Sequence, residues 1–80
     1  MDIMPPALEI AAPARETLRD RRGVVLGTIE RHSSSGMLVA RDAQGRLIGR
    51  FDPRSGTSRD RHGLVVGRGN LLPALIVMSR

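Results

Sequence analysis

Cysteine, tryptophan, tyrosine and lysine are all missing from this chain of 80 residues, and Phe51 is its one aromatic side chain. Without cysteine there are no disulfides and no thiolate metal sites to staple a small fold. The near absence of aromatics removes the large contribution such rings make to a core, and it leaves no stacking platform for nucleobases. No apolar run approaches the roughly 18 residues of a membrane span. The first residues include Asp2, carry no basic stretch and are interrupted by Pro5, Pro6 and Pro13, which argues against a secretory leader. A cytoplasmic location with no membrane partner is the expectation. Two separated histidines, His32 and His62, do not supply the three or four convergent ligands a metal needs, so neither a metal nor another cofactor is expected.

Arginine stands in the place of the missing lysine: all thirteen basic residues are Arg, and the formal charge is +5. A planar guanidinium recognises phosphate and carboxylate with two parallel hydrogen bonds, so a basic chain of this kind points toward polyanions. Several of these Arg sit beside Asp, where local pairing would employ them. The acidic residues are spread evenly, and there is no basic tail.

One stretch occurs three times: Arg19-Asp20-Arg21-Arg22-Gly23-Val24-Val25-Leu26-Gly27, Arg41-Asp42-Ala43-Gln44-Gly45-Arg46-Leu47-Ile48-Gly49 and Arg59-Asp60-Arg61-His62-Gly63-Leu64-Val65-Val66-Gly67. The pattern is Arg-Asp-x-x-Gly-x-Φ-Φ-Gly, with Φ aliphatic. Asp at the first position of a β-turn caps it with its carboxylate, and Gly at the fourth supplies the positive φ of a type I turn closed by a G1 bulge. Each copy therefore reads as a hairpin. The second Gly, inside a strand, marks a bulge or a close approach by another backbone. Counting by twos from it places Val25 and Ile29 around Gly27, and Leu47 and Phe51 around Gly49, on a core face. Leu26, Ile48 and Val66 then fall on the opposite face, which reads as too apolar for plain exposure and calls for a cover.

In chain order, residues 1–14 form an N-terminal arm, in which Leu8, Ile10 and Ala12 alternate in a manner compatible with a short strand. A single β-hairpin-repeat domain occupies residues 15–80. Strands are expected over 15–19, 24–30, 37–41, 46–51, 57–59 and 64–68. A polar loop lies at 31–36 and a Pro-containing turn at 52–56. The fold class is all-β, an antiparallel meander of about six short strands in three hairpin repeats. It closes on the apolar segment Leu71–Met78, either a short helix capped by Asn70 or an edge strand. Eighty residues bury only about 60% of the unfolded surface. With other staples excluded, oligomerisation is the expected additional source of stability.

The three Asp-x-x-Gly-x-Φ-Φ-Gly hairpins resemble the short repeats of the small bacterial proteins called 4-fold beta flower proteins, and the turn-strand units of YD-type repeats. The likeness covers about Thr17 to Gly69 and departs from both in lacking Tyr and Trp. It implies a β assembly of repeated hairpins and carries over no catalytic residue.

Candidate chemistry is sparse. His32 with Ser33, Ser34 or Ser35 and Asp52 has the residue types of a hydrolytic triad, but no strand-to-helix elbow positions a nucleophile. Gly67-Arg68-Gly69-Asn70 has the types of a backbone anion nest. The sequence therefore reads as a non-enzymatic structural or protein-interaction module that self-associates. Its expected contacts are Leu26, Ile48, Val66, Leu71, Leu72, Leu75 and Ile76. The alternative is a weakly sequence-specific nucleic-acid binder using Arg46, Arg50 and Arg68 on phosphates.

Overall fold

The computed structural model describes residues 15–79, so the expected N-terminal arm lies outside the described residues. Six antiparallel strands follow in order: β1 (Arg15–Arg19), β2 (Val25–Arg31), β3 (Leu38–Asp42), β4 (Leu47–Asp52), β5 (Thr57–Asp60) and β6 (Val65–Arg68). They form one sheet in sequence order, a meander with β1 and β6 at its edges. A short helix, α1 (Leu72–Met78), crosses one face over β2, β3 and β4. The apolar C-terminal segment is thus a helix. The expected cap is displaced by one residue: Leu71 occupies the N-cap and makes no side-chain cap bond, while Asn70 Oδ1, just before it, accepts the Leu72 N–H at 3.0 Å; Pro73 sits in the first turn, where its missing N–H costs nothing.

The repeat builds the same hairpin three times. In the second copy, Gly45 N–H donates to the Asp42 carbonyl at 3.0 Å and Asp42 N–H to the Arg46 carbonyl at 2.9 Å, with Gly45 at φ 86°. Asp42 Oδ1 accepts the N–H groups of Gln44 at 2.9 Å and Arg46 at 2.8 Å. Asp20 and Asp60 repeat these two bonds with their own turns. The invariant Arg belongs to the same device: Arg19, Arg41 and Arg59 each donate Nη1 to the carbonyl of Gly23, Gly45 and Gly63, at 3.0, 3.2 and 2.8 Å.

After the turn, each hairpin shifts register once. Arg19 faces Val25 but Leu18 faces Gly27; Arg41 faces Leu47 but Ala40 faces Gly49; Arg59 faces Val65 but Ser58 faces Gly67. Leu26, Ile48 and Val66 are therefore the extra residues of two-against-one bulges. This corrects the assignment of faces made by counting in twos. The bulge interrupts the period, so Leu26 and Ile48 pack against the core cluster of Ile29, Ala40, Leu72 and Ile76. Leu47 moves to the other face, beside Val39. The second face is consequently not the apolar surface expected.

Small residues let the helix settle. Gly27, Ala40 and Gly49 occupy neighbouring strands beneath it, and Ser58 and Gly67 continue the strip beneath residues 69–71. A Cβ on Gly49 would stand 2.5 Å from the Arg59 carbonyl oxygen and 3.2 Å from Leu75 Cδ1. Ser58, fully buried, joins sheet to helix: its Oγ donates to the Gly69 carbonyl at 2.7 Å and accepts the Leu71 N–H at 2.9 Å. The turns at the other end of the sheet close alike, Gly36 N–H on the His32 carbonyl and Gly56 N–H on the Asp52 carbonyl. Among the described residues, no helix is long and apolar enough to cross a membrane.

The turn carboxylates tie the fold to pH. Asp42 is held below its ordinary value of 3.8 chiefly by the Arg46 backbone N–H, partial desolvation opposing, with the Arg46 side chain and Gln44 N–H adding to the lowering. Asp60 is lowered in the same way, by the Leu64 N–H first. A carboxyl depressed by folding stabilises the native state above its unfolded pKa, and that contribution is lost as pH falls through the lower, folded value. Melting temperature is thus expected to fall on acidification below about pH 4. In an Asp42→Asn, Asp60→Asn double variant the acid slope should flatten; an unchanged slope would show that these turns do not contribute.

Candidate anion-binding face

The face opposite α1 follows from register alone, because directly paired residues share a side of the sheet and alternate residues return to it. One row across the strands is Thr17, Thr28, Arg41 and Leu47. The next is Arg15, Glu30, Val39, Arg50, Arg59 and Val65. A third is Asp52, Thr57 and Arg68, and Arg19 pairs with Val25 at the turn end. Six arginines thus share the open face with two carboxylates, Glu30 and Asp52.

The two halves of this face differ. On the β1–β3 side, Glu30 takes Arg15 at 3.1 Å and approaches Arg41 at 3.9 Å. On the β4–β6 side, Arg50 stands directly across from Arg59, with Arg68 diagonal to Arg59, and all three are exposed. Like charges directly opposite on adjacent strands destabilise a sheet. Among the described residues no salt bridge reaches any of these three. Asp52, the nearest acid in the register, turns Oδ1 to the Arg54 N–H of its own turn at 2.9 Å. Beside this cluster lies a shallow depression of about 330 Å³, lined by His32, Ser35, Met37, Val39, Arg41, Leu47 and Arg50.

Of the three arginines expected on phosphate, Arg50 and Arg68 lie together on this face. Arg46 lies apart: its Nε bonds Asp42 Oδ2 at 2.9 Å, and it borders a hollow that includes Ser79, on the helix side. Arg41 and Arg59, expected in the strands 37–41 and 57–59, do lie in β3 and β5 and turn Nη1 to the following hairpin turn; what spacing alone does not show is their place on the open face. The bulge is what hid it, and the pairing of Arg59 with Arg50 becomes legible only once the register is known.

The residues expected at subunit contacts divide differently. Leu72 and Ile76 are wholly buried within the chain, and Leu26, Ile48, Leu71 and Leu75 are half-buried. Val66 is 42% exposed on an edge strand. Within the Gly67–Asn70 segment the Gly69 N–H is spent on the Gly56 carbonyl at 2.7 Å, and the Leu71 N–H that follows the segment goes to Ser58. In the candidate triad, Ser35 Oγ accepts the Met37 N–H at 3.2 Å, so that hydroxyl and Asp52 both serve their own turns. Among the described residues no three His, Asp or Glu side chains gather as for a metal ion. No family model matches this chain, no curated protein is similar to it, and no solved structure matches it.

Proposed function

We propose that this protein is a non-enzymatic binding module whose open sheet face holds the phosphate backbone of a nucleic acid. The observation that carries this reading is the direct pairing of Arg50 with Arg59, extended by Arg68, with no acid among the described residues bonded to any of them. Such a cluster raises the energy of the isolated sheet and is relieved by an anionic partner. The same charge opposes face-to-face stacking of two copies, so the open face does not serve self-association.

With Arg41, Arg50, Arg59 and Arg68 engaging about four phosphates, the logarithm of affinity for a single strand should fall with log salt at a slope of about −3. That is a loss of about 50-fold between roughly 50 and 200 mM salt. Replacing Arg50, Arg59 and Arg68 by Gln should remove about two units of the slope while leaving the circular dichroism spectrum intact. An unchanged slope in that folded variant would defeat the proposal.

One observation favours self-association as a second reading. Edge strand β6 and the residue before it expose Leu64 by 65%, Val65 by 52% and Val66 by 42%, and an apolar edge is a template for another strand. Light scattering behind size exclusion distinguishes the two. A defined oligomer without nucleic acid supports β6 as a contact between copies, and a monomer rules it out.

A further inference from the structure

The depression on the open face differs chemically from the arginine cluster beside it. Its residues Met37, Val39 and Leu47 are apolar, Arg41 and Arg50 flank them, and His32 and Ser35 come from the loop between β2 and β3. Val39 is 9% exposed although it lies on the face away from the helix, so its neighbours on the face already shelter it. A purely electrostatic surface has no use for such a site: phosphates need donors, and an apolar floor desolvates them without return. An unpaired nucleotide presents both kinds of surface, a flat, weakly polar base and a phosphate beside it. In a duplex the base is stacked and paired, so its flat face is withheld and the backbone and base edges are what it offers.

Resting on the nucleic-acid reading above, we propose that this depression seats one unpaired base of a single strand against Val39 and Leu47, with the adjoining phosphate between Arg41 and Arg50. The open face then selects single-stranded over double-stranded nucleic acid. With no aromatic ring in the site, the contact rests on aliphatic burial. It is correspondingly modest and tolerant of base identity. The direction of selection is opposite to that of charge alone, because a duplex carries the denser phosphate array and releases more counterions per contact.

The test compares fluorescence anisotropy of a labelled oligonucleotide as single strand, as duplex and as an abasic strand of equal length, with heparin as a base-free polyanion. The single strand is expected to bind about fivefold more tightly than the abasic strand, the effect of burying a small patch of apolar surface. A Met37→Thr, Leu47→Thr variant, which leaves the buried Val39 in place, should lose that margin and keep its affinity for heparin. Equal binding of intact and abasic strands, or tighter binding of the duplex, overturns the base seat while leaving the phosphate face standing. Failure to bind any of the probes, heparin included, overturns both. The abasic comparison uses the unaltered protein, so it decides the matter even if the double variant does not fold.

Discussion

Gly27→Ala is expected to cost more stability than any other single methyl addition along β2, enough to remove more than half of what holds the domain folded. Adding a Cβ at Gly27 drives it into the carbonyl oxygen of Arg41 on the neighbouring strand and to 2.9 Å from Ile76 Cγ2 on α1. The side chain of Ile76 has some freedom to move, whereas the Arg41 carbonyl belongs to the ladder that joins the first hairpin to the second. Overpacking a filled site costs about 1–3 kcal/mol, and a clash with fixed backbone lies at or above the upper end. A domain of this size has a total stability on the order of 5 kcal/mol. Gly45→Ala is the contrast. Its Cβ meets nothing within 4 Å, and the loss is that of placing an L-residue at φ 86°, about 1–2 kcal/mol. Urea denaturation of both variants followed by circular dichroism checks the ranking. Should Gly45→Ala prove the more damaging, the close approach of helix and neighbouring carbonyl at Gly27 is not what the second Gly of the repeat provides.

These two glycines also mark how far the sequence could be read. The Asp-x-x-Gly turns and the strand positions were legible because the turn chemistry is local: an Asp carboxylate, two N–H groups within four residues and a Gly at positive φ. The second Gly was legible as a bulge or a close approach, and it is both. Its consequence for the faces was not legible. Placing the extra residue at Leu26 rather than Val25 depends on which pairs bond across strands, and that is a property of the partner strand. One misplaced residue per hairpin exchanges Leu47 with Ile48, so an apolar second face was expected where the structure has arginines around Val39 and Leu47. The repeated Arg of Arg-Asp-x-x-Gly was visible, but its bond to the Gly carbonyl is a contact across the turn that spacing alone does not assign. The helix-or-strand ambiguity of residues 71–78 was settled by tertiary packing. Leu72 and Ile76, four residues apart, meet a strip of small side chains, and this favours a helix over the strand preference of Ile76 and Val77.

Leu72→Ala and Ile76→Ala should each cost about 2–5 kcal/mol, the range for truncating a large buried aliphatic chain. The magnitude falls toward the upper end for a reason particular to this fold. Among the described residues the buried apolar set comprises Ile29, Val39, Ala40, Leu72 and Ile76, and Val39 lies on the other face, so α1 supplies two of the four buried members of the cluster it covers. The sheet beneath offers Gly27, Ala40 and Gly49, which between them carry a single methyl group and so cannot collapse into the vacated space. Val77→Ala is the control: Val77 lies next to Ile76 on the same helix but is 50% exposed, and its truncation should change stability by less than about 1 kcal/mol. If thermal melts placed Ile76→Ala alongside Val77→Ala, the helix would contribute little to the fold and the sheet would have to stand without it. In the expected case, undocking α1 also bares Leu26, Ile48 and Leu75. The variant should then self-associate on warming through the helix face, leaving the arginines of the opposite face exposed to solvent. Heparin binding that survives at temperatures where the helix signal is already lost would show that the proposed anion contacts of the arginine face depend on the sheet alone.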